Sequence, residues 1–191
     1  ADLEVKDVLE LGTGTGNLSV LLAEKYPTAR IHLVDISDES LAVCRSRLGT
    51  DARVQYQTED FRKLQFETGR FDLVASSIAV HHLDASEKQT LFKQVLDWLR
   101  PGGMFAYADQ HAGATEDLRR RHLQNWKAAA MAAGSTQEEW NMWMKHQADH
   151  DHHDTLVDQV DWLRAAGFNA VDCPWRYLLW TVLQARKPQA S

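Results

Sequence analysis

Cysteine is scarce in this chain of 191 residues: only Cys44 and Cys173 occur, far apart and in no C-x-x-C pairing. That excludes a disulfide framework or a cysteine zinc site, and predicts two reduced, mostly buried thiols. Basic residues are outnumbered as well. Twenty-one Lys and Arg against 27 Asp and Glu leave a formal net charge of −6, which argues against a surface built to follow a phosphate backbone. The one basic run, Arg119-Arg120-Arg121, falls on a predicted helix and reads there as a solvated face. No apolar stretch approaches 18 residues and no signal peptide opens the chain, so the expectation is a soluble, cytoplasmic protein without a membrane partner. Repeats, low-complexity tracts and dividing linkers are missing too. The length suits one domain, residues 1–191, with a continuous core.

What is present is an alternation. KDVLEL (6–11) is a short apolar run ending at glycines, as a buried parallel strand requires. Residues 17–25 carry apolar side chains at helical spacing and stop before Pro27. IHLVD (31–35), VQYQ (54–57), FDLVASS (71–77) and GMFAYAD (103–109) read as further strands. Helices are predicted at 37–48 and at about 86–99, the latter closed by Pro101-Gly102-Gly103. Short connections between alternating strands and helices imply right-handed βαβ units and a parallel sheet covered on both faces. After Asp109 the rhythm changes. Residues 111–153 carry no strand signal, and two helices are expected there, about 115–132 and 136–147. A helix at 155–166, ended by Gly167, and strands at 168–172 and 177–186 close the chain. Residues 111–153 are thus expected to be a helical insertion before a final αββ unit.

The loop ELGTGTGN (10–17) carries the first chemical signal. Glycine is needed where the backbone takes positive φ or approaches a ligand closely. A strand–glycine loop–helix also presents free backbone N–H groups to a negative group. The dinucleotide fingerprint G-x-G-x-x-G is not met, because Asn17 stands where its third glycine belongs and Gly16 precedes it. The pattern is G-x-G-x-G with Glu10 two residues ahead. Asp35 ends the second strand, where a carboxylate can accept from both hydroxyls of a ribose. Asp60 and Phe61 follow the third strand, where an acid and an aromatic ring suit a purine. Three such loops at the carboxyl edge of adjacent strands form the usual ligand crevice of an open α/β sheet.

With these pieces in place, the chain resembles the class I S-adenosylmethionine-dependent methyltransferases. The resemblance rests on VLELGTGTG (8–16), LVDIS (33–37), TEDFRKL (58–64), FDLVASSIAVHHL (71–83), LRPGGMFAYAD (99–109) and LRAAGFNAVD (163–172). These cover nearly all of the chain outside the insertion, and are most similar to the small-molecule branch. The resemblance implies a Rossmann-like, doubly wound sheet of about seven strands, mostly parallel with an antiparallel last strand. It implies S-adenosylmethionine as cofactor and methyl transfer to a small-molecule O, N, S or activated-carbon acceptor. It places Glu10 beside the methionine amino group and Gly12, Gly14 and Gly16 against the methionine portion. Asp35, with Ile36 beside it, would hold the ribose, Asp60 and Phe61 the adenine, and Ser76 or Ser77 would sit near the sulfonium.

Departures from the family pattern narrow the chemistry. One or two helices usually precede the first strand in that family, and about six residues do so here, so either such helices are missing from this sequence or the insertion covers the cleft alone. No N-P-P-Y or D-P-P-Y follows the fourth strand, which disfavours amino-group methylation of adenine or glutamine. No Pro-Cys pair stands there either, which disfavours a covalent cytosine mechanism. Four groups are candidate proton acceptors: His81 and His82 past the fourth strand, and Asp109 and His111 at the end of the fifth. Trp126, Trp140, Met142, Trp143 and Met144 of the insertion suit either core packing or an apolar lid. In HQADHDHHD (146–154), His146, His150 and His153 recur at helix-compatible spacing between Asp149, Asp151 and Asp154. Such a pattern can chelate a borderline metal or gather proton acceptors at the hinge of the insertion, but a polar helix end accounts for it better, and no metal is assigned. The alternatives are a noncatalytic S-adenosylmethionine-binding module, a methyltransferase acting on RNA or protein, and a nicotinamide-dependent oxidoreductase.

Overall fold

A computed structural model describes residues 4–190. The elements run β1 (Asp7–Leu11), α1 (Asn17–Lys25), β2 (Arg30–Asp35), α2 (Asp38–Leu48), β3 (Val54–Thr58), β4 (Phe71–Ser77), α3 (Ala85–Trp98) and β5 (Leu99–Gln110). They continue with α4 (Glu116–Ala132), α5 (Gln137–His150), α6 (Leu156–Ala166), β6 (Asn169–Tyr177) and β7 (Trp180–Arg186). All seven strands join one sheet in the order β3-β2-β1-β4-β5-β7-β6. The pairs among β1 to β5 are parallel, while β7 is antiparallel to both of its neighbours. This is the doubly wound, mostly parallel sheet expected, with an antiparallel last strand.

Strand side chains alternate between two cores, as the period of two requires. Val8, Ile31, Leu33, Leu73 and Ala75 face one side, with Leu22 of α1 and Cys44 of α2. Leu9, Leu11, Val34, Val74, Phe105 and Leu183 face the other, with Leu91, Phe92 and Val95 of α3 and Leu163 of α6. Every residue of β1 is buried, because helices cover both of its faces. Chain connections diverge at β1, whose neighbours are β2 and β4. The crevice beyond the carboxyl ends of β1 and β4 is therefore the topological switch point of the sheet.

Several boundaries differ from the sequence expectation for identifiable reasons. Pro101-Gly102-Gly103 does not end a helix but bulges within β5, where Leu99 pairs with Phe71 and Met104 with Leu73. A break in register lets a proline and a positive-φ glycine sit inside a strand. β6 extends to Tyr177 because it forms a hairpin with β7 that the single sequence does not reveal. The last correction concerns the histidines. α5 ends at His150, so His153 is not on its helix, and residues 151–154 run in an irregular segment. Cys44 is buried as expected, whereas Cys173 is only half-buried.

α4 and α5 lie between β5 and α6, and a bridge from Ala112 to Thr155 closes their base. They pack on an aromatic cluster. Trp126 meets Trp140 edge-on at 5.0 Å, lies parallel to Trp143 at 6.1 Å, and touches Trp180 of β7 at 5.6 Å. On α4, Arg120 and Arg121 are exposed and pair with Asp117. Among the described residues, no helix is long and apolar enough to cross a membrane.

Candidate active site

The turn from β1 into α1 builds the floor of the crevice. Gly12, Gly14 and Gly16 all take positive φ, at 68°, 55° and 86°, which an L side chain resists. Their surroundings separate their roles. A β-carbon on Gly12 would lie 2.2 Å from that of Ala79, and one on Gly16 would lie 2.6 Å from the Cys44 sulfur. These two glycines permit close packing of the loop. A β-carbon on Gly14 meets nothing within 4 Å, because it projects into a cavity of about 560 Å³.

That cavity collects most of the residues expected at a cofactor site. Glu10, Gly12, Gly14, Asp35, Ile36, Asp60, Phe61 and His82 line it. Asp35 is held in place by two backbone donors, Gly14 N–H at 2.7 Å and Ser37 N–H at 2.9 Å. Asp60 is clamped by Arg62, whose Nε lies 2.9 Å from both carboxylate oxygens. This pairing holds the Asp60 carboxyl below its usual range. Glu10 is 1% exposed and accepts a hydrogen bond from Ser19 Oγ at 2.6 Å. Burial, with the nearby charge of Asp35, pushes its carboxyl up to about 7. The hydroxyl of Thr13, also on the wall, is buried without a partner.

Ser76, Gly16 and His111 lie elsewhere. Ser76 donates to the Leu11 carbonyl at 2.8 Å, between β4 and β1, and does not reach the cavity; its neighbour Ser77 does. Gly16 supports the cradle from behind, as the N-cap of α1. His111 was expected to face the cleft, and does not. Its Nδ1 bonds the Thr181 hydroxyl at 2.6 Å, and burial lowers its imidazole to about 4.

Beyond the first cavity lies a second of about 530 Å³, and the two share Ile78 and His82. Trp126, Met142, Trp143, His146 and Asp151 wall it from the insertion side. Trp140 does not; it is 7% exposed and packs inside the insertion. Ile78, at the junction, takes φ of +55° while its N–H donates to the Ala108 carbonyl. A β-branched residue in this region is strained, and such strain gathers at functional sites. Together with Arg62 and Thr13, Ile78 escaped the sequence reading, since no motif marks any of them.

His81 and His82 follow on a short turn at Val80–His82 and differ sharply. His81 is buried, and its Nδ1 lies 2.6 Å from Asp109, which also accepts the His81 backbone N–H. Burial opposes its charge, but the bond to Asp109 and the charges of Asp109 and Asp151 outweigh this and raise its pKa. Burial would likewise raise Asp109, yet its bond to His81 holds it low. Asp109 lines neither of the two adjoining cavities; it orients His81. His82 is half-buried, and burial followed by the charge of His81 lowers its pKa. Its imidazole is therefore neutral near pH 7 and opens onto both cavities.

Comparison with known proteins agrees with this architecture. The sequence model of the methyltransferase domain matches residues 8–103. Among curated proteins, phosphoethanolamine N-methyltransferase of Plasmodium falciparum is 28% identical over 120 residues, covering 61% of this chain and 45% of that one. Malonyl-[acyl-carrier protein] O-methyltransferase 2 of Ilyobacter polytropus is 29% identical over 105 residues, 55% of this chain and 39% of that one. The chain thus spans less than half the length of these relatives. An S-adenosylmethionine-dependent methyltransferase from Mesorhizobium loti shares the fold at a TM-score of 0.66 and 22% identity, over 96% of this chain and 91% of that one. By its matched domain, its strand order and its glycine cradle, the chain belongs to the class I S-adenosylmethionine-dependent methyltransferases.

Proposed function

We propose that this domain moves a methyl group from S-adenosylmethionine to a small-molecule acceptor, with the insertion 111–153 as the cover of the acceptor site. The observation that carries this reading is the pair of adjoining cavities meeting at Ile78 and His82. The first suits a charged nucleoside amino acid. Glu10 offers a buried negative group to the ammonium, Thr13 an unpaired hydroxyl, and Gly14 an open approach to backbone. Asp35 would accept from the ribose hydroxyls, and Asp60, Phe61 and Arg62 would frame the base. Ser77, rather than Ser76, stands at the sulfonium end.

When bound, S-adenosylmethionine supplies an electrophilic methyl on sulfur, which leaves as a neutral thioether. The protein then has two tasks: to align the acceptor in line with that methyl and to take a proton where the nucleophile carries one. His82 is the group placed for the second task, because it is uncharged near neutrality and faces both cavities. His81 holds a proton against Asp109 and serves to position the turn. Trp143, Trp126 and Met142 supply apolar contact for an organic acceptor.

The names of the relatives point to small acceptors of different kinds, phosphoethanolamine for one and a malonyl group on acyl carrier protein for another. The acidic balance and the pairing of Arg120 and Arg121 with Asp117 favour a small acceptor over nucleic acid. Calorimetric titration with S-adenosylmethionine and, separately, NAD, followed by methyl transfer from labelled S-adenosylmethionine to pooled amines, phenols, thiols and carboxylic acids, tests the reading. Binding without transfer to any pool would support the noncatalytic alternative. Transfer to RNA or protein alone would overturn the small-molecule assignment.

A further inference from the structure

Four side chains meet at one point on the wall of the second cavity. Asp151 is nearly buried, and its Oδ1 has no hydrogen-bond partner. His82 Nδ1 lies 3.4 Å from that oxygen, His81 Nε2 3.6 Å and His146 Nε2 3.8 Å. The first two histidines and the aspartate can place their donor atoms within 4.8 Å of one another. These separations are too long for hydrogen bonds. They suit donors that share an ion, since metal–ligand bonds of about 2.0–2.2 Å in a tetrahedral set put neighbouring donors roughly 3.3–3.5 Å apart.

The surroundings are those of a metal site as well. A ligating histidine usually donates its other ring nitrogen to a carboxylate, which fixes the ring and its tautomer. His81 does this through Nδ1 to Asp109 at 2.6 Å, leaving Nε2 toward Asp151. The segment bearing Asp151 is pinned. His152 N–H donates to the His81 carbonyl at 2.7 Å, and the fully buried Lys88 pairs with Asp154 at 2.5 Å. On the far side of Asp151, His153 Nε2 lies 3.8 Å from Oδ2, buried and unpartnered. Two largely buried carboxylates, Asp109 and Asp151, thus flank His81 in a place that calls for a cation.

We infer that His81, His82 and Asp151, with His146 at the rim, form a three-donor binding site for a divalent first-row transition-metal ion of the zinc class. Imidazole and carboxylate donors select zinc, cobalt or iron over calcium and magnesium. The remaining coordination position faces the second cavity, where it can take an anionic oxygen or thiolate of a small ligand. Metal binding does not require the methyl-transfer reading, but a metal held by His82 Nδ1 would occupy the lone pair that reading uses to accept a proton, so the base role belongs to the metal-free protein. Use of the open position by the acceptor rests on that reading.

Purified protein stripped with EDTA and titrated with Co2+ and Zn2+ tests the site without any activity assay. One saturable equivalent is expected, with Zn2+ held more tightly than Co2+ and Mg2+ not competing. The Co2+ adduct should show visible bands of a four- or five-coordinate nitrogen–oxygen site that shift when acetohydroxamate is added. Asp151→Asn and His82→Gln should each weaken binding by about 100-fold or more, while His150→Gln, at the end of α5 beside Asp151 but outside the cluster, should not. His82 is half-exposed, so its variant stays informative if the buried aspartate proves necessary for folding. Absence of saturable Co2+ or Zn2+ binding, or undiminished binding in both variants, would overturn the site. A Co2+ spectrum insensitive to acetohydroxamate would overturn the open position.

Discussion

Replacing Glu10 by Gln tests the cradle at its most unusual group. Glu10 sits in the strand that leads into the glycine loop, 1% exposed, with Ser19 as its hydrogen-bond donor. Its carboxyl is raised from 4.5 to about 7 by burial and by Asp35. An ammonium bound beside it needs the ionised form, so binding must expel a proton from the fraction still protonated. That fraction is about one half at pH 7 and roughly nine-tenths at pH 6, so affinity should fall about fivefold over that interval. Calorimetry of S-adenosylmethionine binding in two buffers of different ionisation enthalpy reads the proton directly. About 0.5 proton per site is expected at pH 7 and about 0.9 at pH 6. Stability moves in the opposite sense. A folded-state pKa above the unfolded one favours folding below about 4.5, and that contribution is lost as pH rises through about 7. A shift of this size corresponds to roughly 3 kcal/mol above pH 8. Glu10→Gln keeps a hydrogen-bond acceptor for Ser19 without the charge. It should be more stable than the parent by about 2–3 kcal/mol at pH 8 and bind S-adenosylmethionine at least tenfold more weakly. A binding enthalpy independent of buffer, with affinity flat from pH 6 to 7.5, would refute the placement of the ammonium at Glu10.

Asp35→Ala should weaken S-adenosylmethionine binding by about 10- to 100-fold in a folded protein, and unchanged calorimetric affinity would remove the ribose assignment. Gly14→Val places a branched side chain at φ of +55° and into the cavity. It should lose binding while costing stability by only about 1–2 kcal/mol, read by denaturant unfolding. Trp143→Ala should raise the acceptor KM and leave cofactor affinity unchanged, whereas the buried Trp140→Ala should destabilise by about 3–5 kcal/mol. Equal loss of stability in both variants would refute the separation between lid and core. For an acceptor that must lose a proton, His82→Gln should lower kcat by about 100-fold. In the parent the rate limb set by this base should lie below that of an ordinary imidazole, because burial and the charge of His81 lower its pKa; a limb above the ordinary imidazole value would exclude it.

Much of this arrangement was legible in local sequence, and the limits of that legibility are physical. Apolar runs ending in glycine or acid marked β1 and β2, because a strand covered on both faces is mostly apolar. The spacing of Gly12, Gly14 and Gly16 marked a loop needing positive φ, and alternation with helices implied the parallel sheet. Which of two neighbours reaches the ligand was not legible. Ser76 and Ser77 are chemically alike, and successive strand residues point to opposite faces, so only pairing with β1 sends Ser76 to the Leu11 carbonyl and leaves Ser77 on the cavity. His111 and His82 look equally suited to be a base until the hairpin of β6 and β7 brings Thr181 to His111 and buries it. Trp140 and Trp143 lie nearly on one helix face, and their roles separate only when Trp126 and Trp180 pack between the insertion and the sheet. Asp151 is the extreme case, an acid in a polar run that tertiary contacts with His81 and Lys88 carry into the interior. Local sequence determines backbone preference and amphipathic faces through short-range sterics and periodicity, whereas the partners of a given side chain are set by residues far along the chain, 65 positions for Ser76 and Leu11 and 70 for His111 and Thr181.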